Sequence, residues 1–154
     1  MRPTIQVMKT LTFLIGAYIA ATSSSAWADC YDAAAAYHRV NPWILRAIAA
    51  EESSFKPNAV GRNSNGSEDV GVTQTNSVHF EELRRYGIGR NDLFDACTSV
   101  YVAGWLLQKK VKRHGNTWTA VGAYHSETPE KRDSYARRIK RTIEAWTRAG
   151  YIKP

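Results

Sequence analysis

Apolar positions along most of this chain recur at three- and four-residue intervals, the period of an amphipathic helix, and polar or glycine-bearing clusters cut that pattern into segments. The alanine-rich stretch at 30–39 has strong helix propensity. A second helix is expected over 42–54. Asn41 suits its N-cap and Pro42 its first position, and Phe55-Lys56-Pro57 stops it, because a residue before proline avoids helical angles. Residues 58–69 are rich in Gly, Asn and Ser, have almost nothing to bury, and read as a loop. A short extended piece at 70–75 comes next. Asn76-Ser77 can cap a helix over 78–86 that Gly87 ends. Residues 91–95 suggest one helical turn. A longer helix begins at Thr98 or Ser99 and closes at His114-Gly115, and Thr117 opens another over 118–124. Thr128-Pro129 opens a final helix over 130–147, with Tyr135, Ile139, Ile143 and Trp146 along its inner face. There is no repeat, linker or second domain. The pattern predicts an all-α chain with at most a very small β element. Trp105, Trp118 and Trp146 are expected in the core, Tyr135 in the core or a groove wall, and Tyr101 in either.

One position breaks the pattern. With about 100° per residue and Ile44 at zero, Ile44, Leu45, Ile48 and Ala49 span a face centred near roughly 70°. Glu52 falls near roughly 80°, in the middle of that apolar face, whereas Glu51 falls about 90° from its centre. Desolvation disfavours a charged carboxylate and raises its pKa, and an acid still protonated near neutral pH can donate a proton. The plainer reading is a wet glutamate in the last turn, where the helix leaves the core.

Composition places this domain outside the cytoplasm. Residues 1–28 carry Arg2 and Lys9, an apolar run at 11–21 and small residues at Ala26 and Ala28, the pattern of a cleavable signal peptide. The apolar run is short for a membrane span, and no stable span is expected after cleavage. The domain is then 29–154, about 126 residues, enough for a real core. Two of the 21 basic residues precede Asp29 and all 14 acidic residues lie from Asp29 onward, so the mature chain carries +5. That charge suits an anionic partner, nucleic acid or a cell-wall polymer. Export argues against nucleic acid, and so does the scattering of the basic residues over helices. The two cysteines, Cys30 and Cys97, suggest one disulfide in an exported chain, with two free thiols as the alternative. His38, His79, His114 and His125 show no metal-ligand spacing, so no metal is expected.

Four blocks in order then carry a resemblance. Residues 47–55 hold Glu52-Ser53, residues 71–76 read Gly-Val-Thr-Gln-Thr-Asn, Ala123-Tyr124 follows, and 134–138 read Ser-Tyr-Ala-Arg-Arg. Together they resemble the lysozyme-like domain of soluble lytic transglycosylases over nearly all of the mature chain. The chain is similar, more narrowly, to the small single-domain members that accompany type III and type IV secretion systems, pili and conjugation machines (the IagB and IpgF group). Cys30, the loop at 63–67 and the turn at 95–98 carry that narrower likeness. The departures are Thr73 and Thr75, where the family usually has Met and Ile beside the glutamine, and His125, where it usually has Asn.

The resemblance implies a goose-type lysozyme-like fold, a monomer in the periplasm, and no cofactor. It implies peptidoglycan glycan strands as substrate and components of a secretion or conjugation apparatus as partners. It also implies an enzyme, a peptidoglycan lytic transglycosylase in which Glu52 acts as acid and then base and leaves a 1,6-anhydro sugar. Ser53, Gln74, Asn76, Tyr124 and His125 would bind substrate, with the Tyr124 hydroxyl near Glu52. Turn and cap chemistry is the plainer reading of Ser53 and Asn76. Thr73 and Thr75 would make the groove floor more polar. A lysozyme needs a second carboxylate near the first, and Glu68 or Asp69 could supply it from the loop. The alternative of another class is an assembly factor that binds peptidoglycan without cleaving it, or with hydrolysis only.

Overall fold

A computed structural model describes residues 25–152. The expected signal peptide therefore lies almost wholly outside the described residues. The described chain is mostly helical, with one small sheet. Helix α1 (Ser25–His38) and α2 (Pro42–Ser53) are followed by strands β1 (Val60–Arg62), β2 (Glu68–Val70) and β3 (Thr75–Asn76). A 3₁₀ turn at Ser77–His79 leads into α3 (Phe80–Arg84), and a second at Arg90–Phe94 leads into α4 (Ala96–His114). Helices α5 (Trp118–His125) and α6 (Pro129–Arg148) complete the fold.

Local chemistry sets these boundaries. Asn41 Oδ1 accepts from the Trp43 N–H at 2.8 Å, and Pro42 needs no partner at the first helical position. Ser54 closes α2 in the left-handed region, φ 52°. Helix α4 starts at Ala96, earlier than expected, because Asp95 caps it by accepting from the Thr98 N–H at 2.8 Å. The 78–86 helix is shorter than expected and split, since Asn76 caps a 3₁₀ turn before α3 begins.

The sheet corrects the reading of 58–69 as a loop. Strands β1, β2 and β3 pair antiparallel, with Val60 opposite Val70 and Asp69 opposite Asn76. Three-residue strands leave too few positions for an alternating pattern to show. The hairpin turn is made instead by Asn65 Oδ1, which accepts from the Ser67 N–H at 3.0 Å. The expected extended piece at 70–75 is extended only at its ends. Residues 71–74 turn sharply, with Gly71 at φ 84° and Gln74 at φ 48°. Any side chain at Gly71 would collide with the Leu93 carbonyl oxygen, so this turn lies hard against the Arg90–Phe94 segment.

Helix α4 separates two apolar clusters. One face packs Val100, Ala103 and Leu107 with Tyr31, Leu45, Ile48, Val72, Val121, Tyr135 and Ile139. The other packs Val102 and Leu106 with Val70, Leu83 and Leu93 beneath the sheet. Trp105 and Trp146 are partly buried at the margins of these clusters. Trp118 is 41% exposed, against expectation, because it opens α5 while Ala120 to Ala123 take the buried positions. Tyr101 packs on the core beside Tyr37 and His38, away from the groove.

Cys30 and Cys97 form a disulfide across a 67-residue separation, tying α1 to the first turn of α4, with Cα atoms 5.4 Å apart. Replacing both by alanine is expected to lower stability by about 2–4 kcal/mol, read as a fall in the urea midpoint without loss of helical signal.

Candidate functional site

Glu52 emerges from the last turn of α2 into a groove of about 560 Å³. One wall is the hairpin, with Asn63, Asn65, Asp69, Gln74 and Asn76, and the other is α5 and the start of α6 with Tyr124, His125 and Lys131. A cavity of this size is in the range of ligand sites, roughly 300–1,000 Å³.

The Glu52 side chain is 18% exposed. Burial pushes its pKa from the ordinary 4.5 up to about 7. The Tyr135 hydroxyl, which lies against the carboxyl, opposes that rise, Asp69 and Glu51 add to it by like-charge repulsion, and Arg138 offsets part of it. Desolvation of a carboxyl on an apolar face is thus the main cause. His125 stacks flat on Tyr135, with centroids 4.7 Å apart, and its Nδ1 is 4.0 Å from Glu52 Oε1, too far for a hydrogen bond. Partial burial and the charge of Arg138 depress the His125 pKa, so the ring is neutral at pH 7.

The other expected site residues divide into those in the groove and those that support it. Ser53 is not in the groove lining. Its hydroxyl donates to the Val72 carbonyl at 2.8 Å and accepts from the Lys56 N–H at 3.0 Å, tying the end of α2 to the 71–74 turn. Gln74 lines the groove, but its amide donates to the Ala59 carbonyl at 3.1 Å and the Gly71 carbonyl at 2.8 Å, leaving its oxygen free of these bonds. Its left-handed backbone is costly for a non-glycine residue and is held by these bonds. Asn76 is committed to Asp69, Ser67 and the Val78 cap. The Tyr124 hydroxyl donates to the Thr73 carbonyl at 3.1 Å, and it is close enough to Glu52 for that carboxylate to help push its pKa up. Tyr135 also acts on Glu52, but its buried hydroxyl completes no hydrogen bond within the protein.

Among the runner-up carboxylates, Glu51 pairs with Arg138, and Glu68 pairs with Arg90 at 2.6 Å. Asp69 lines the groove with Glu52 and is held by the amides of Asn63 (2.8 Å) and Asn76 (2.7 Å). The expected polar floor at Thr73 is corrected: Thr73 is buried away from the groove, and its hydroxyl meets Ser99 Oγ at 2.8 Å. Thr75 does line the groove, and its buried hydroxyl has no protein partner. Sequence reading missed Lys110 and Lys131, which lie on solvated helix faces by pattern, and Glu127 between α5 and α6, and gave no role at Glu52 to Tyr135, although it stands in the last motif block. Among the described residues no His, Cys, Asp and Glu cluster could hold a metal ion, and no helix is long and apolar enough to cross a membrane.

Two predictions follow from burial. Because the folded pKa of Glu52 is raised, the native state loses stability as pH rises from 4.5 toward 7 and above. Glu52→Gln should leave stability near unchanged at low pH and raise it by up to about 3 kcal/mol above pH 7, measured by urea unfolding across pH. Thr75→Val should raise the melting temperature by removing an unpartnered hydroxyl, whereas Thr73→Val should lower stability by about 1–3 kcal/mol by removing its hydroxyl's bonds to Ser99 Oγ and the Ser99 carbonyl.

Comparison with known proteins accords with the geometry. The transglycosylase SLT domain family matches residues 29–146. Invasion protein IagB of Salmonella typhimurium is 40% identical over 121 residues, 78% of this chain and 76% of its own. Protein IpgF of Shigella flexneri is 40% identical over 106 residues, 68% of this chain and 70% of its own. An Escherichia coli protein called X polypeptide is 35% identical over 127 residues, 82% of this chain and 75% of its own. The expectation of an enzyme is corrected here. None of these three relatives' names states an enzymatic activity, and that of IagB is the name of an invasion protein, so a definite assignment as a lytic transglycosylase does not stand.

Proposed function

The chain belongs to the transglycosylase SLT domain family, and on that premise we propose that it is a peptidoglycan-binding assembly factor of a secretion or conjugation apparatus. One observation carries this reading. A carboxyl about half neutral at pH 7 and largely neutral below it sits in a groove whose hairpin wall presents amides and hydroxyls. Such groups match the hydroxyl and N-acetyl groups of an amino-sugar polymer. Protonated Glu52 donates to a glycan oxygen, Gln74 offers its free amide oxygen, and His125 and Tyr124 form the facing wall. Ser53 acts behind this surface by fixing the turn, and Asn76, within the hairpin wall, fixes Asp69 and the hairpin. The association with an apparatus rests on the relatives named as invasion proteins. Residues 1–28 would direct export to the periplasm and be removed there, and the mature charge of +5 favours an anionic wall.

The test is sedimentation of the mature chain with purified peptidoglycan sacculi, coupled to mass spectrometry of the soluble fraction. A ligand that covers Glu52 removes it further from water and favours its neutral form. Binding should therefore weaken as pH rises through about 7. Glu52→Gln should bind with little pH dependence, and neither protein should release products. Anhydro-ended products would make Glu52 an acid catalyst. Reducing-end products would make Glu52 and Asp69 a hydrolytic pair. Either would overturn the binding-only reading, and failure to sediment with the wall would overturn wall binding itself.

A further inference from the structure

The Cys30–Cys97 disulfide lies outside the groove lining, yet it joins the two elements between which the 71–74 turn is clamped. Cys97 stands in the first turn of α4, between two places where that turn docks. On one side lie the Leu93 carbonyl, against which Gly71 sits, and the Asp95 cap, which accepts from the Thr98 N–H at 2.8 Å and the Thr98 hydroxyl at 2.9 Å. On the other lies fully buried Ser99. Its Oγ accepts from the Thr73 N–H at 3.3 Å, and its carbonyl accepts from the Thr73 hydroxyl at 3.1 Å. Cys30 stands on the turn of α1 that holds α2. Nearby Asp32 accepts from two Arg46 guanidinium nitrogens, at 3.0 and 2.8 Å, and Tyr31 meets Phe55 edge-on just past the end of α2. That end carries Glu52 and Ser53, and Ser53 donates to the Val72 carbonyl. The links close a ring: α2, the 71–74 turn, the start of α4, the disulfide, α1, and α2 again.

The hydrogen-bonded links of this ring are individually weak, and the disulfide is a covalent one. The opposite end of α1 has its own tie to α4. Gln108 Nε2 donates to the His38 carbonyl at 2.8 Å, and the His38 ring lies against Gly104. Cutting the disulfide therefore frees the start of α4 while the helices stay packed. We propose that the Cys30–Cys97 disulfide is a redox gate on the groove: intact, it holds the start of α4 against the 71–74 turn and keeps Glu52 covered, and reduced, it lets that turn lift while the helical body remains. Both cysteines are half-buried, within reach of a small dithiol. The dithiol supplies two electrons and two protons, the sulfur–sulfur bond breaks to leave the Cys30 and Cys97 thiols, and the dithiol closes to its own disulfide. Disulfides persist in oxidising compartments and not in reducing ones, so the groove is complete only in oxidising surroundings. The gate is a property of the chain alone, and its consequence for wall binding rests on the reading above.

The experiment follows the Glu52 carboxyl by NMR titration of the mature chain without ligand, first oxidised and then reduced with dithiothreitol and kept free of oxygen, with circular dichroism of each form. In the oxidised chain the carboxyl titrates at about 7. Reduction should move that midpoint toward the ordinary 4.5, by about tenfold or more in acid strength, as water reaches the group, with the helical signal kept. Replacing both cysteines by alanine should reproduce the shift and so exclude the charge of the thiols as its cause. Gln108→Ala, which cuts the far tie between α1 and α4, should leave the midpoint in place. Sedimentation with sacculi should weaken about tenfold on reduction, as one wall of the groove is displaced, and recover on reoxidation. A midpoint still at about 7 in the reduced chain would overturn the gate. Loss of the helical signal on reduction would also overturn it, because the groove would then fail only with the whole fold. An equal shift in Gln108→Ala would overturn it by making the packing of α1 on α4, and not the position of the disulfide, the cause. Failure of the oxidised chain to sediment would overturn wall binding and leave the gate to stand on the titration.

Discussion

The docking of residues 71–74 onto the ends of three helices is the constraint on which the groove depends. Ser53 at the end of α2 donates to the Val72 carbonyl, Tyr124 on α5 donates to the Thr73 carbonyl, and Thr73 exchanges its hydroxyl contact with Ser99 on α4. Gly71 meanwhile sits against the Leu93 carbonyl, where only a glycine fits. Each bond is worth about 0.5–1.5 kcal/mol net, but together they join the sheet to the helices. Because of this joint, the hairpin faces α5 and α6 across a gap, and the gap holds Glu52. Were the turn to lift, water would reach the carboxyl and the burial that raises its pKa would be lost.

Much of this was legible in the chain. The apolar period gave the helices, Asn41 and Pro42 gave the start of α2, and the position of Glu52 within the apolar face gave its desolvation. The hairpin was not legible, because strands of three residues show no alternation and their register is held by Asn and Ser side chains. Nor could pattern distinguish Thr73 from Thr75. Both are buried threonines, and only the position of Ser99, 26 residues on from Thr73, gives one a partner and the other none. The same limit applies to Tyr124 and Tyr135. A tyrosine on an inner helix face declares its burial, while the acceptor for its hydroxyl depends on what packs opposite. Lys110 and Lys131 look like ordinary solvated charges until α4 and α6 are placed beside the hairpin.

The site also separates what a family implies from what a chain's own geometry supports. A glutamic acid kept protonated near neutral pH is compatible with proton donation in catalysis and with hydrogen bonding to a bound sugar. Burial, Asp69 and Glu51 produce that state whichever use it serves. The groove, with its amide-rich hairpin wall around Asp69 and its lysines at the far end, is the surface proposed above to recognise a glycan, and one relative carries the name of an invasion protein.

The claim on which this account rests is that the wall glycan lies between the hairpin and α5–α6. Amide and side-chain chemical-shift mapping, with a soluble glycan fragment titrated into the isotopically labelled mature chain, tests it most directly. The account predicts shifts concentrated at Asn63, Gln74, Asn76, Tyr124, His125 and the Glu52 carboxyl. Shifts that spare these residues and gather instead on the exposed aromatics Tyr37 or Tyr86 would contradict it.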